Sequence, residues 1–115
     1  MTIAMSETIT FEDFSKIDLR VGTIIEVSDF PKAHKPAYIL TIDFGLLGIK
    51  KSSAQITALY LKNDLLGKQI VANVNFKEKQ IANIKSQCLV VGAVKDAKVI
   101  LLSPEEKVPN GTPIR

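Results

Sequence analysis

Lys77, Lys79 and Lys85 fall close together, and Asn75, Ser86 and Gln87 flank them. Ammonium groups at this density neutralise phosphates, and amide or hydroxyl groups hydrogen-bond base edges and sugar hydroxyls. Lys51 can join them: it neighbours Lys50, and on a strand the two point to opposite faces, so only one belongs to any given basic surface. Phe76 could stack a base, but its alternation with Ile70, Ala72 and Val74 predicts a place in the core.

Other chemistry finds little support. The chain has no phosphate-binding G-x-x-x-x-G-K-[ST] motif and no G-x-G-x-x-G. His34 is the single histidine and has no carboxylate cluster beside it, so neither a metal site nor a triad is expected, and no cofactor is implied. It could instead meet a phosphate. Ser52 and Ser53 lie beside two lysines, but neighbouring strand residues point apart, which disfavours a serine–lysine dyad. Asp43 has no paired carboxylate for acid–base work. The single cysteine, Cys88, lies in an apolar run and reads as a small core residue. The protein is expected not to be an enzyme.

Charge supports a polyanion partner. The net charge is +3, but residues 30–85 carry nine lysines against Asp43, Asp64 and Glu78, a local balance of +6. At 115 residues with 46% apolar side chains, one domain with a real core is expected. No stretch approaches the roughly 20 apolar residues of a membrane span, so membrane insertion is not expected. Residues 1–10 lack the basic and apolar regions of a signal peptide and read as a flexible terminus, which makes a cytoplasmic protein the default.

The elements that must position these residues follow from periodicity. Thr10 with Asp13 three residues on predicts a capped turn at Phe11–Phe14, with Phe11, Phe14 and Ile17 on one side, either as a lid on the core or as a dimer contact. Leu19–Val27 alternates as a strand, with Leu19, Val21, Thr23, Ile25 and Val27 sharing a face and Gly22 marking a bend, bulge or close approach. Phe30–Pro36 holds two prolines and reads as an exposed loop. Ala37–Phe44 places Tyr38, Leu40, Ile42 and Phe44 on one face. Gly45 and Gly48 bracket a turn before a more polar strand at Ile49–Thr57. A short helix is expected within Ala58–Gly67, then strands at Gln69–Phe76 and Ser86–Gly92 and a last apolar run at Val99–Leu102. Strands in close succession with one helical insert between the third and fourth predict an all-β, five-stranded OB-type Greek-key barrel with a C-terminal extension; a β-sandwich is the other arrangement. A polypeptide ligand would need exposed apolar surface, for which Phe30, Tyr38 and Phe76 are candidates, each with a competing core role.

Residues 18–102 resemble the OB-fold tRNA-binding domain found beside some methionyl- and phenylalanyl-tRNA synthetases and in EMAP-type proteins. The resemblance runs through Asp18-Leu19-Arg20-Val21-Gly22-Thr23-Ile24, Phe30-Pro31-Lys32-Ala33-His34-Lys35, Asp43-Phe44-Gly45, Val74-Asn75-Phe76-Lys77 and Ile84-Lys85-Ser86. Lys35-Pro36-Ala37-Tyr38, Lys51 to Thr57 and Val108-Pro109-Asn110-Gly111 look like the CsaA branch. The resemblance implies a homodimer of OB barrels, joined through residues 11–17 and the extension 103–115, including Phe11, Phe14, Ile17 and Pro109. It implies an export-related chaperone for unfolded or presecretory polypeptide, which could meet the export machinery, built on a domain whose relatives bind the outer corner of tRNA by shape. Gln87-Cys88-Leu89 stands where those relatives carry Glu-Gly-Met, and Glu78, Gln80, Ala82 and Asn83 stand where their loop is richer in arginine, proline and glycine; the lysines of this chain cannot reproduce arginine's planar two-point contact.

Overall fold

The computed structural model describes residues 6–115. The flexible terminus expected over 1–10 falls in part on residues outside that range; residues 6–10 are exposed and carry no regular structure. Helix α1 (Phe11–Ser15) begins as its sequence predicts. Thr10 Oγ1 accepts the Asp13 N–H at 3.0 Å and Asp13 Oδ2 accepts the Thr10 N–H at 3.3 Å, a reciprocal cap.

The barrel is organised around β1 (Leu19–Asp29), which pairs antiparallel with β4 (Gln69–Asn73) through its first half and with β2 (Tyr38–Asp43) through its second. Serving two neighbours in turn requires a bend. A Cβ at Gly22 would lie 2.6 Å from Ile42 Cγ2 and 2.7 Å from the Phe44 ring, so glycine permits the close approach here. The β1–β2 register then shifts between Ile24 and Glu26, leaving Ile25 as an extra residue. The bulge overturns the single alternating face expected for β1: Ile24 is buried in the core, Ile25 is exposed, and Val27 packs inward again.

The sheet runs β3-β2-β1-β4-β7, where β3 is Ile49–Ala54 and β7 is Leu89–Val90. Tyr38, Leu40, Ile42 and Phe44 form the inner face expected of β2 and meet Ile24, Ala54, Ile56, Ile70, Ala72 and Cys88 in one core. The insert between the third and fourth strands is α2 (Lys62–Leu65), which drives Leu65 into that core. Gly67 follows it at φ +85°, a left-handed position, and its N–H reaches the Ile24 carbonyl at 2.8 Å.

Three segments depart from the expected strands. β4 ends at Asn73, three residues early. Residues 77–85 are not an open loop: β5 (Lys79–Ile81) and β6 (Ile84–Ser86) form a hairpin. The expected fifth strand is divided among β6, β7 and β8 (Gly92–Lys95), the last pairing with β9 (Lys98–Leu101) around Asp96 and Ala97, both at positive φ. The C-terminal extension lies over the outer side of β1 and ends in β10 (Pro113–Ile114), paired with Leu19 and Arg20. Gln69 fastens it by donating to the Val108 carbonyl at 2.7 Å and accepting the Val108 N–H at 3.1 Å. No helix among the described residues is long and apolar enough to cross a membrane.

Candidate ligand groove and the cleft beneath the first helix

The β5–β6 hairpin sorts its side chains by register. Lys79, Ile81, Ile84 and Ser86 share one face, and Gln80 and Lys85 share the other. The first face overlooks a groove of about 460 Å³ lined by Phe76, Ile81, Cys88 and Leu89, with Lys77 and Lys79 at its rim. Phe76 is 58% exposed and Leu89 50%. Phe76 therefore does not take the core position its alternation predicts, because β4 stops before reaching it. Leu89 is half uncovered because β7 ends the sheet and is not the doubly covered strand expected. A second concavity of about 260 Å³ adjoins across Ser53 and Ile81 and brings in His34 and Lys35 from the proline-bounded loop. On the opposite face of the hairpin, Lys77, Glu78, Gln80 and Lys85 line a separate hollow.

The predicted site residues divide by what their polar atoms already do. Lys51, Lys77, Lys79 and Lys85 are exposed. Asn75, Ser86 and Gln87 are engaged within the fold. Asn75 Nδ2 donates to the Lys16 carbonyl at 2.7 Å and its Oδ1 accepts the Asp18 N–H at 3.0 Å. Ser86 Oγ accepts the Ser53 N–H at 3.2 Å. Gln87 spans the seam to β3 through both its backbone and its side chain. Of the aromatic candidates, Phe30 and Tyr38 are 4% and 8% exposed, and Tyr38 Oη donates to the Tyr60 carbonyl at 2.8 Å. Both are core residues, leaving Phe76 as the aromatic surface of the groove. Leu89 and Ile81 are not singled out by sequence; an apolar residue on a terminal strand is the signal that would find Leu89.

A cleft of about 620 Å³ lies on another side of the barrel, lined by Phe11, Phe14 and Ile17 with Arg20, Asn75 and Ile114. All three α1-side apolar residues are exposed. Pro109 does not line this cleft; it sits nearer the other end of the extension, where its carbonyl accepts from Thr112. Burial pushes the Cys88 thiol up to about 11, partly offset by Lys50 and by a hydrogen bond from Ser52, so it is a neutral groove wall at ordinary pH. Among the described residues no cluster of three or more His, Cys, Asp or Glu side chains could hold a metal ion.

Residues 19–113 match the family model described as "Putative tRNA binding domain". Among solved structures, the chain is 50% identical to the chaperone CsaA from Bacillus anthracis, covering 95% of this chain and 100% of that one at a TM-score of 0.90. It is 55% identical to the CsaA chaperone protein from Picrophilus torridus, covering 94% and 100% at a TM-score of 0.88. The methionine–tRNA ligase of Thermococcus onnurineus is 38% identical over 109 residues, which are 95% of this chain but 15% of the ligase. The barrel, the basic hairpin and these likenesses agree: the chain belongs to the tRNA-binding domain family, with full-length similarity to its CsaA members.

Proposed function

We propose that this protein is a non-catalytic, cytoplasmic chaperone of the CsaA type that holds unfolded or presecretory polypeptide in the Phe76–Leu89 groove. The observation that carries this reading is the exposure of Phe76 and Leu89 in one concavity rimmed by Lys77 and Lys79. Exposed apolar side chains gathered in a groove bury area on contact with an apolar segment, whatever its sequence. The full-length likeness to proteins named CsaA chaperones supports it. The working unit in this reading is a homodimer, in which α1 of each copy covers the other's apolar residues Phe11, Phe14 and Ile17. Glu12 on the helix complements Arg115 at the cleft, while Asp13 and Lys16 pair with each other and Arg20 pairs with Asp18 within the chain.

A second reading is favoured by the lysines. Lys77, Lys79 and Lys85 with Lys51 would hold the phosphates of tRNA, with Phe76 offering a face for stacking. Because Asn75, Ser86 and Gln87 are spent inside the fold, this recognition would rest on charge and shape rather than on base edges.

The deciding experiment measures binding of tRNA to the purified protein at two salt concentrations, then adds a reduced and carboxymethylated polypeptide as competitor. Salt-sensitive tRNA binding displaced by the polypeptide supports one groove serving both ligands. Suppression of client aggregation without tRNA binding leaves the chaperone reading alone, and binding of tRNA with no effect on the client leaves the second. Failure of both overturns the proposal.

A further inference from the structure

We infer that Asn75 is a positioning residue for Phe76, and that through it the seating of α1 on the barrel and the shape of the ligand groove are coupled. The inference rests on the reading of the groove as the ligand site.

The link is a corner four residues long. β4 ends at Asn73, whose side chain is buried and whose Oδ1 accepts the N–H groups of both Asn75 and Phe76 at 3.1 Å. An asparagine that captures backbone N–H groups two and three residues on breaks the strand and fixes the turn. Asn73 Nδ2 donates to Asn75 Oδ1 at 3.0 Å. That same oxygen accepts the Asp18 N–H, while Asn75 Nδ2 reaches the carbonyl of Lys16, the C-cap of α1. Val74 adds a backbone bond to the Asp18 carbonyl at 2.9 Å.

Consecutive residues thus face different concavities. Asn75 lines the cleft beneath α1, and Phe76 lines the groove. Because the Phe76 ring is largely exposed, its direction is set by the backbone of the corner and not by burial. Loosening the junction of α1 with β1 releases one end of that corner, and ordering Phe76 then becomes a cost of binding. Whatever holds α1 in place also holds Phe76, and a ligand seated on Phe76 favours a seated α1 by the same factor.

The chain contains no tryptophan, so Phe76→Trp supplies a single fluorescent reporter in the groove. Two changes are made in that background. Asn75→Asp keeps an acceptor for Asp18 but places an oxygen against the Lys16 carbonyl. Thr10→Ala with Asp13→Ala removes the cap of α1 far from the corner, and both positions are exposed, so this variant folds even where the first does not. The expected result is a rise in acrylamide quenching of the introduced indole and about five-fold weaker binding of tRNA at low salt in each folded variant. Unchanged quenching and affinity in the folded variants would overturn the coupling. If the wild-type protein binds neither tRNA nor a carboxymethylated polypeptide, the groove reading fails, while the quenching comparison, which needs no ligand, still decides the role of Asn75.

Discussion

Gln87 grips Lys51 at two points: its N–H donates to the Lys51 carbonyl at 2.8 Å, and its side-chain Oε1 accepts the Lys51 N–H at 2.9 Å. This pair, with Ser52 Oγ donating to the Cys88 carbonyl at 3.1 Å, closes the seam between β3 and the chain after β6. A side chain here replaces one rung of a backbone ladder. Gln87→Met keeps the length of the side chain and deletes the acceptor. It is expected to cost about 0.5–1.5 kcal/mol, the net contribution of one hydrogen bond at an exposed position. Thermal unfolding reads this as a fall of several degrees, and an unchanged midpoint would show that water replaces the amide without loss.

Gly22→Ala tests the bend that lets β1 serve two neighbours. Its new methyl would overlap Ile42 and Phe44, both fully buried, at 2.6–2.7 Å. Overpacking of a filled core typically costs about 1–3 kcal/mol. Urea unfolding should show a lower midpoint at unchanged slope, and Phe44→Leu in the same chain should recover part of the loss. A neutral Gly22→Ala would mean that the bend is held elsewhere.

Periodicity makes the barrel legible where strands are regular and fails where a side chain captures the backbone. Tyr38, Leu40, Ile42 and Phe44 alternate into the core as their spacing predicts, because β2 has partners on both edges and no interruption. The same spacing assigns Phe76 to the core incorrectly, since Asn73 ends the strand by taking two N–H groups before Phe76 is reached. Ile25 is misplaced by its spacing because it is the extra residue of a bulge and stays exposed, while Val27 beyond it packs inward. At the site, charge is legible and commitment is not. The lysines are exposed as their type predicts, whereas Asn75, Ser86 and Gln87 look identical in sequence whether they await a ligand or close a barrel.

That division predicts separable effects on RNA binding. Each lysine acting on a phosphate contributes about 0.7–0.9 to the slope of log affinity against log salt. Replacing Lys77, Lys79 and Lys85 together by alanine should flatten that slope by about two to three. Phe76→Ala should weaken binding at every salt concentration by about 1–3 kcal/mol without changing the slope, as loss of a stacking face does. Filter binding or fluorescence titration between low and moderate salt measures both. A slope unchanged in the triple variant would remove the lysines from the interface, and a Phe76→Ala protein with undiminished affinity would remove the aromatic face.

Cys88 gives the fold an alkaline weakness with a defined sign. Burial raises its thiol from the ordinary 9.0 to about 11, ahead of the opposing effects of Lys50 and Ser52. Between these values the unfolded chain releases the proton and the folded chain keeps it. The unfolded state then binds fewer protons, so stability falls as pH rises. Well below the ordinary thiol value both states hold the thiol neutral and nothing is lost; by about pH 11 the accumulated loss approaches about 2–3 kcal/mol. The wild-type curve alone does not isolate the thiol. The difference between wild type and Cys88→Ala does. The variant starts less stable by the lost packing, and its deficit should shrink as pH climbs from 9.0 toward about 11. Urea unfolding at half-unit steps follows that deficit. A gap that stays constant across the range would mean that the thiol ionises as readily in the folded groove wall as in water, and that the wall is wetter than its burial implies.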